Sequence, residues 1–358
     1  MTDILPFLKS LISVSGLSAY ETPVANLIEA KWKPLVDETS RSRLGSLHGL
    51  KRGSGKSPRS SVLIAAHMDA IGLMVTKITD GFLHVTEIGG IDPRVLPGTP
   101  IVIHATGGSK PEDLPGVVVM PPANLLPEGE GDKAVALKYL LVDTGLSARE
   151  VSKLVAIGDL VAYNTEPVEM SGENVSGHTL DNRASIAALT ICLEELQSKS
   201  HIWDVWAVAT TQEEVTLGGA KTSAFQIKPS IAIAVDVTHG RAPGMNDWET
   251  FPLGKGPTLG VGANMHPFLH KRFAELAEKL EIPFAVEASP AFSGTDAETM
   301  QLAADGIPTM VVSIPLRYMH TPVEVVALKD IQRTGRLLAE FVASLQADFF
   351  EKIVWDAS

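Results

Sequence analysis

Apolar positions along the chain fall into two textures, and each predicts a different kind of structure. Ile4, Leu8, Leu11 and Ile12 recur at helical spacing and predict a helix over residues 4–14. A second helix is expected over 22–32. Ser61-Val-Leu-Ile-Ala-Ala is short, continuous and bounded by polar residues, so it reads as a buried strand. From Ile71 to Thr165 the texture changes. Segments 73–78, 82–88, 100–104 and 116–120 alternate, and Gly and Pro punctuate them, as at Gly89-Gly90 and Leu96-Pro97-Gly98. That is the pattern of a small β-barrel or sandwich.

After Thr165 the first texture returns. Helices expected at 181–197, 219–225, 266–280 and 329–348 alternate with strands at 204–211, 230–235 and 309–314. Such alternation implies an α/β fold, a mostly parallel sheet sandwiched by helices. The expected organisation is one α/β domain, residues 1–70 and 166–358, interrupted by an inserted β-barrel domain, residues 71–165. Arg52-Gly-Ser-Gly-Lys-Ser has the letters of a phosphate loop, but the upstream glycine spacing is missing and no strand is read before it. No nucleotide site is expected there.

Composition narrows the picture. Hydrophobic residues make up 45% of 358, enough to bury a substantial core. Lys plus Arg total 30 against 42 Asp plus Glu, a net charge of −12, which argues against a nucleic-acid partner and suits a protein that holds cations. The single cysteine, Cys192, lies in an apolar helical run and reads as a core residue. One cysteine forms no internal disulfide, so the sequence carries no mark of secretion. The N-terminal stretch contains Asp3 and lacks a signal-peptide pattern. No apolar stretch approaches the roughly 20 residues that cross a bilayer. A cytoplasmic protein with no membrane partner is the expectation.

In open α/β sheets, sites form beyond the carboxyl ends of strands. His67 and Asp69 follow the strand at 61–66, Glu213 and Glu214 follow 204–211, Asp236 follows 230–235, and His320 lies a short loop beyond 309–314. Asp181 opens a helix. Two histidines and several carboxylates are a donor set for Zn²⁺, Co²⁺ or Mn²⁺. Their number suggests two ions, His67 on one and His320 on the other, with carboxylates completing and bridging the pair. Without cations the carboxylates would repel one another and some would take up protons. In extended chain, side chains at i and i+2 share a face, so Asp69 is placed to accept a hydrogen bond from the distal nitrogen of His67. Adjacent side chains diverge, so one of Glu213 and Glu214 suits metal binding and the other a general base. Taken singly, each residue reads as a turn, cap or surface position; their convergence carries the functional reading. His48, His84, His104, His201, His266 and His270 have no such placement. His178 and His239 border the motifs without an assigned role.

The motifs resemble a known family over nearly the whole chain: the dinuclear metallo-aminopeptidases of metallopeptidase family 42, TET-type glutamyl, leucyl and lysyl aminopeptidases, some historically labelled endoglucanases. The landmarks are Ser15-Gly-Leu-Ser-Ala-Tyr-Glu21, Ala66-His-Met-Asp-Ala-Ile-Gly72, residues 89–98, Leu180-Asp-Asn-Arg183, Gln212-Glu-Glu-Val215, Ala234-Val-Asp236, Ser293-Gly-Thr-Asp296 and Met319-His-Thr-Pro322. The resemblance implies a zinc-exopeptidase-like, phosphorylase/hydrolase-like fold and a peptide substrate. It implies two divalent metal ions per subunit, zinc first, with cobalt or manganese as alternatives. It makes His67 and His320 terminal ligands, Asp181 the bridge, Glu214 and Asp236 the completing ligands, Glu213 the general base and Asp69 the carboxylate that orients His67. It makes the inserted barrel a dimerisation domain, with dimers building to a tetrahedral dodecamer. The family usually reads G-L-R-G after the glutamate pair; here the residues are Thr216-Leu217-Gly218-Gly219. Three other readings are weaker. A glycosidase uses a carboxylate pair but leaves the histidines unexplained. A non-catalytic assembly protein fits degenerate ligands, and none is missing. An acylase shares the two-metal set and differs only in substrate.

Overall fold

The computed structural model describes residues 3–130 and 133–354, so residues 1, 2, 131, 132 and 355–358 of the expected domains lie outside the description. Two helices come first, α1 (Leu5–Ile12) and α2 (Thr22–Trp32). Each has a proline in its first turn, where the missing N–H has no helical partner to lose. Strands β1 (Glu38–Arg41), β2 (Leu47–Lys51) and β3 (Ser61–His67) follow. The chain then builds β4 (Gly72–Thr79), β5 (Phe82–Ile88), β6 (Pro100–Ala105), β7 (Glu112–Val119), β8 (Leu141–Asp143), α3 (Ala148–Leu154) and β9 (Leu160–Tyr163). It returns through β10 (Val168–Met170), β11 (Asn174–Gly177), α4 (Leu180–Glu195), β12 (Asp204–Thr210), α5 (Glu213–Thr216) and α6 (Gly218–Ile227). The last elements are β13 (Ile231–His239), β14 (Thr258–Gly262), α7 (Pro267–Lys279), β15 (Ala285–Ser289), α8 (Ala297–Gln301), β16 (Thr309–Arg317), β17 (Glu324–Ala327) and α9 (Leu328–Ser344).

The larger sheet runs β1-β2-β12-β3-β13-β16-β17-β11-β10, with β14 on β16 and β15 on β14. Its centre, β12, β3, β13 and β16, is parallel. Antiparallel strands extend it on both sides. β3, β13 and β16 are buried along almost their whole length, which requires helices over both faces. α4 lies against β3 and β13 and packs on α9. It is buried almost throughout, which is why its sequence shows apolar residues all round instead of a stripe. The expected α/β architecture is therefore found.

The inserted segment closes a six-strand antiparallel barrel, β4-β5-β8-β7-β6-β9. Leu73, Val75, Leu83, Ile101, Ile103, Val118, Val142 and Val161 form its core. Period-two alternation put one apolar side chain in two inside the barrel. Val151 of α3 packs against that core, and a reciprocal Ser147–Glu150 capping box starts the helix.

One expectation is corrected. A strand, β2, does stand immediately before Arg52-Gly-Ser-Gly-Lys-Ser. It escapes a propensity reading because Leu47-His-Gly-Leu-Lys lacks β-branched residues. Gly49 packs closely there: a Cβ would sit 3.3 Å from Val36 Cγ1 and 3.4 Å from the Trp32 ring. The loop still offers no phosphate cradle. Gly53 N–H donates to Asp204 Oδ1, Ser54 N–H to His201 O and Gly55 N–H to Ile202 O, so these amides are already used. No helix follows the loop; the next element is β3.

β2 also carries a buried titratable group. His48 Nε2 lies 2.9 Å from Ser223 Oγ, and burial pushes its pKa down from 6.5 to about 4. Folded His48 is thus neutral where the unfolded chain starts to bind a proton. Above its unfolded pKa the stability is complete. As pH falls through 6.5 towards 4, stability is lost, by about 3 kcal/mol in all. His48→Gln keeps a partner for Ser223 and removes this proton uptake. Between about pH 7.5 and pH 5, the wild type should therefore lose more Tm than the variant, and parallel losses would contradict the assignment.

Candidate metal centre

The parallel strands end at one edge, and the connections leaving it carry the expected donors. His67 is the last residue of β3, so the strand fixes its direction. Asp236 lies inside β13, not beyond its end, because pairing with β16 carries that strand on to His239. Glu213 and Glu214 form the first turn of α5, not extended chain. Their side chains diverge nonetheless, since neighbours are about 100° apart around a helix. Asp181 lies within α4 but has φ −78 and ψ 102, so an irregular turn presents it. His320 follows β16 with φ +60, while Thr179 and Gln212, close before Asp181 and the glutamates, have φ +66 and +57. Left-handed backbone at non-glycine residues is held in place by its surroundings and often marks functional sites.

These turns bring the donors together. Asp181 faces a different histidine with each oxygen: Oδ1 lies 3.1 Å from His67 Nε2, and Oδ2 lies 3.3 Å from His320 Nε2. Glu214 Oε2 is 3.3 Å from His320 Nε2. Glu213 Oε2 and Asp236 Oδ1 are each 3.8 Å from His67 Nε2. His67, Asp181 and Glu214 have ligand atoms within 4.8 Å of one another, as do His67, Glu213 and Asp236. His67 is 2% exposed, Asp181 6% and Asp236 5%.

Asp69 faces His67 as expected, but with its carbonyl as well as its carboxylate. It lies past the end of β3, and His67 Nδ1 is closer to its carbonyl oxygen, at 3.2 Å, than to its carboxylate, at 3.5 Å. The carboxylate has another task. It accepts from Ser18 Oγ at 2.6 Å, from Glu213 N–H at 3.0 Å and from Glu214 N–H at 3.3 Å. One buried carboxylate thus ties the His67 turn to the glutamate pair.

The electrostatics fit cations. Burial raises the pKa of Glu213 and Asp236 well above the ordinary carboxylate range, and neighbouring carboxylates add to the rise. Burial raises Glu214 too, with Asp181 reinforcing it. Burial works against charge on the histidines, but the surrounding carboxylates outweigh it, raising His67 well above normal and His320 to about 11. Asp181, also opposed by burial, is held low by its hydrogen bonds to both histidines. Protons on the imidazoles are one answer to this crowding. Divalent ions between imidazole and carboxylate are the other, and the donor types, N and O at two adjoining clusters, suit them.

Several supporting residues had no role in the sequence reading. Glu324 is buried, accepts from Asp181 N–H at 3.1 Å and from His320 N–H at 3.0 Å, and so ties Asp181 to His320. Arg183 is fully buried; it donates to Leu11 O at 2.5 Å, to Val14 O and to Met68 O at 3.3 Å. Burial lowers its pKa only to about 10, so it supplies a fixed positive charge behind the acidic cluster. Glu21 accepts from Thr211 Oγ1 and Gln212 N–H and pins the turn after β12. Asp296 is buried, accepts from Thr210 Oγ1 at 2.5 Å and leaves Oδ1 without a partner among the described residues. Arg183, Glu21 and Asp296 lie in motifs that were visible, and Glu324 follows His320 by four residues. Only the fold gives them partners.

The two departures after the glutamate pair, Thr216 and Gly218, lie in contact. A Cβ at Gly218 would lie 2.8 Å from Thr216 Oγ1, and that oxygen already accepts from Gly218 N–H. A side chain at 218 would therefore require the Thr216 hydroxyl to shift.

A family model described as M42 glutamyl aminopeptidase matches residues 45–337. The lysyl aminopeptidase of Pyrococcus furiosus is 35% identical over 345 residues, spanning 95% of this chain and 96% of its own length. An aminopeptidase of known structure from the archaeon Desulfurococcus kamchatkensis superposes with a TM-score of 0.90 at 32% identity, covering 98% of this chain and 97% of its own. The TET1 peptidase of Pyrococcus horikoshii, which can assemble into a tetrahedron or a large octahedral shell, superposes with a TM-score of 0.81 at 28% identity, covering 96% and 100%.

Glu324→Gln places an amide NH₂ against one of two backbone N–H donors. It should weaken divalent-ion binding by about 10- to 100-fold while leaving Glu213 untouched. Competition against a chelator measures this, and unchanged affinity would show the tie to be dispensable.

Proposed function

The chain belongs to the M42 glutamyl aminopeptidase family, and from that premise we propose that it is a two-metal aminopeptidase removing N-terminal residues from peptides, with Glu213 as general base. The observation that carries this reading is Asp181, whose two oxygens face different histidines. In the proposal two divalent ions would be held by Asp181 between them, one also by His67 and Asp236 and the other by His320 and Glu214. Bound there, the ions would polarise the scissile carbonyl and lower the pKa of water beside it. The rest is done by the chain. Glu213 Oε2 accepts a proton from the attacking water as the oxygen–carbon bond forms. It returns that proton to the peptide nitrogen as the carbon–nitrogen bond breaks, which leaves the carboxylate ready for another cycle. Asp69 holds the N–H groups of both glutamates and so sets the base relative to its metal-binding neighbour. Burial of Glu213 supports the base role, because a buried carboxylate holds a proton more tightly than an exposed one.

The remaining parts of the proposal concern setting. The barrel is proposed as the dimerisation domain; it exposes apolar Met120, Leu125 and Ile157, side chains that a partner would cover. Assembly to a tetrahedral dodecamer is proposed on the likeness to the TET1 peptidase. A cytoplasmic setting fits the single cysteine, buried in α4. Among the described residues no helix is long and apolar enough to cross a membrane.

Glu213 also lies within reach of an ion, beside His67 and Asp236. One variant separates the two roles. Glu213→Gln should keep both ions and lose about 10²- to 10⁴-fold in turnover of aminoacyl anilides. Loss of an ion would make Glu213 a ligand instead, and retained turnover would remove it from proton transfer. Ion content by elemental analysis and turnover on the same preparation decide between these outcomes.

A further inference from the structure

A second set of chemically suited side chains lies at the seam between the barrel and the α/β unit. Ser15 Oγ is 2.8 Å from His104 Nε2, and His104 Nδ1 is 2.6 Å from Asp113 Oδ1. His104 on β6 and Asp113 on β7 are direct cross-strand partners, while Ser15 comes from the loop between α1 and α2. With the Asp113 carboxylate accepting from Nδ1–H, a neutral His104 would offer its Nε2 lone pair to the serine hydroxyl. Hydroxyl, imidazole and carboxylate in that order are the relay of acyl-transfer enzymes.

The three residues line one cavity of about 220 Å³, which also meets Tyr163, Thr165 and His178. Tyr163 Oη and Thr165 Oγ1 are buried and have no hydrogen-bond partner among the described residues. Buried polar atoms are nearly always partnered, so these two hydroxyls call for a water or another small polar guest. The volume lies below the ~300 Å³ at which drug-sized ligand pockets begin, so the guest is small.

We propose that Ser15, His104 and Asp113 form a second hydrolytic site, which takes esters of short acyl groups and acts independently of the metal centre. Ser15 Oγ bonds to the ester carbonyl carbon while its proton passes to His104 Nε2. The carbonyl oxygen, briefly an anion, would be met by the Tyr163 or Thr165 hydroxyl only if one turned towards it. The ester C–O bond breaks, and the alcohol leaves with the proton from His104. Water then gives a proton to His104 and attacks the acyl carbon. The bond to Oγ breaks, the carboxylic acid leaves and Ser15 regains its proton. Asp113 acts through His104 as a positioning residue. Its side chain is 66% exposed, so it stabilises the imidazolium only partly, and turnover is slow beside that of a buried triad.

The test uses the full-length, metal-loaded protein with p-nitrophenyl butyrate and, separately, a fluorophosphonate. Ser15→Ala should lose at least about 10-fold of the ester turnover, with aminoacyl-anilide turnover unchanged. His104→Gln should match it. Asp113→Asn should lose part of the activity, and Asp113→Glu should restore it, which a merely structural contact would not require. Peptide mapping should find the fluorophosphonate on Ser15. Glu213→Gln should keep the ester activity, which separates this site from the metal centre and lets either reading fail alone. Ester turnover unchanged in Ser15→Ala, or no label on Ser15, would overturn the proposal and leave the triplet as a latch between loop and barrel.

Discussion

Like charge in a dry place is the constraint around which this structure is organised. Asp181, Glu213, Glu214 and Asp236 converge on His67 and His320 at one edge of a buried sheet. Left alone, such groups would spread apart or take up protons. What holds them is a surrounding layer of oriented donors and one fixed cation. Asp69 is gripped by a serine hydroxyl and two backbone amides, Glu324 by two more amides, and Arg183 lies fully buried behind them. The proposed pair of divalent ions completes that balance, and the left-handed residues Thr179, Gln212 and His320 show where the backbone is bent to achieve it.

The barrel is not an appendage hung at a distance from this cluster. The chain enters it within a few residues of Asp69 and comes back through β10 and β11 just before Asp181. A loop of the barrel also reaches the cluster: a Cβ at Gly90 would lie 3.3 Å from His320 Nδ1, and one at Gly89 would lie 3.4 Å from Glu214 Cβ. Glycine at 90 lets this backbone approach the imidazole. If the barrel pairs subunits, as proposed, the same element that contacts a partner also rests against the proposed ligands. The insertion would then tie assembly to the shape of the cleft through ordinary packing.

Much of this was legible in the chain, for reasons that can be stated residue by residue. β3, β13 and β16 read as strands because burial on both faces demands unbroken apolar runs, and His67 announced itself by ending one. β2 did not, because Gly49 and His48 answer to Trp32, Val36 and Ser223, partners remote in sequence. β14, Thr-Leu-Gly-Val-Gly, is short and glycine-laden for the same kind of reason: its Gly260 makes room for Met265 and Val311. α3 has a local signal, since Ser147 and Glu150 spell a capping box, but it is one short helix set among alternating strands. The donors were visible as strand-end residues. Their geometry was not. Asp236 stands inside its strand, the glutamate pair is helical, and Asp69 turns to grip amides, because hydrogen bonds to distant segments decide those local conformations. Glu324 had no signal of its own, and Arg183 stood in a visible motif without a legible role, since nothing in a one-dimensional reading pairs Glu324 with Asp181 or Arg183 with Leu11.

Asp181 is the point on which the proposed chemistry turns, and it can be observed directly. Crystals of the zinc-loaded protein, measured on either side of the zinc absorption edge, locate each ion by its anomalous scattering. The account predicts two peaks per chain, one on each side of the Asp181 carboxylate, the first against His67 and Asp236 and the second against His320 and Glu214. A single peak, or a pair of peaks that leaves Asp181 on one ion only, would contradict it.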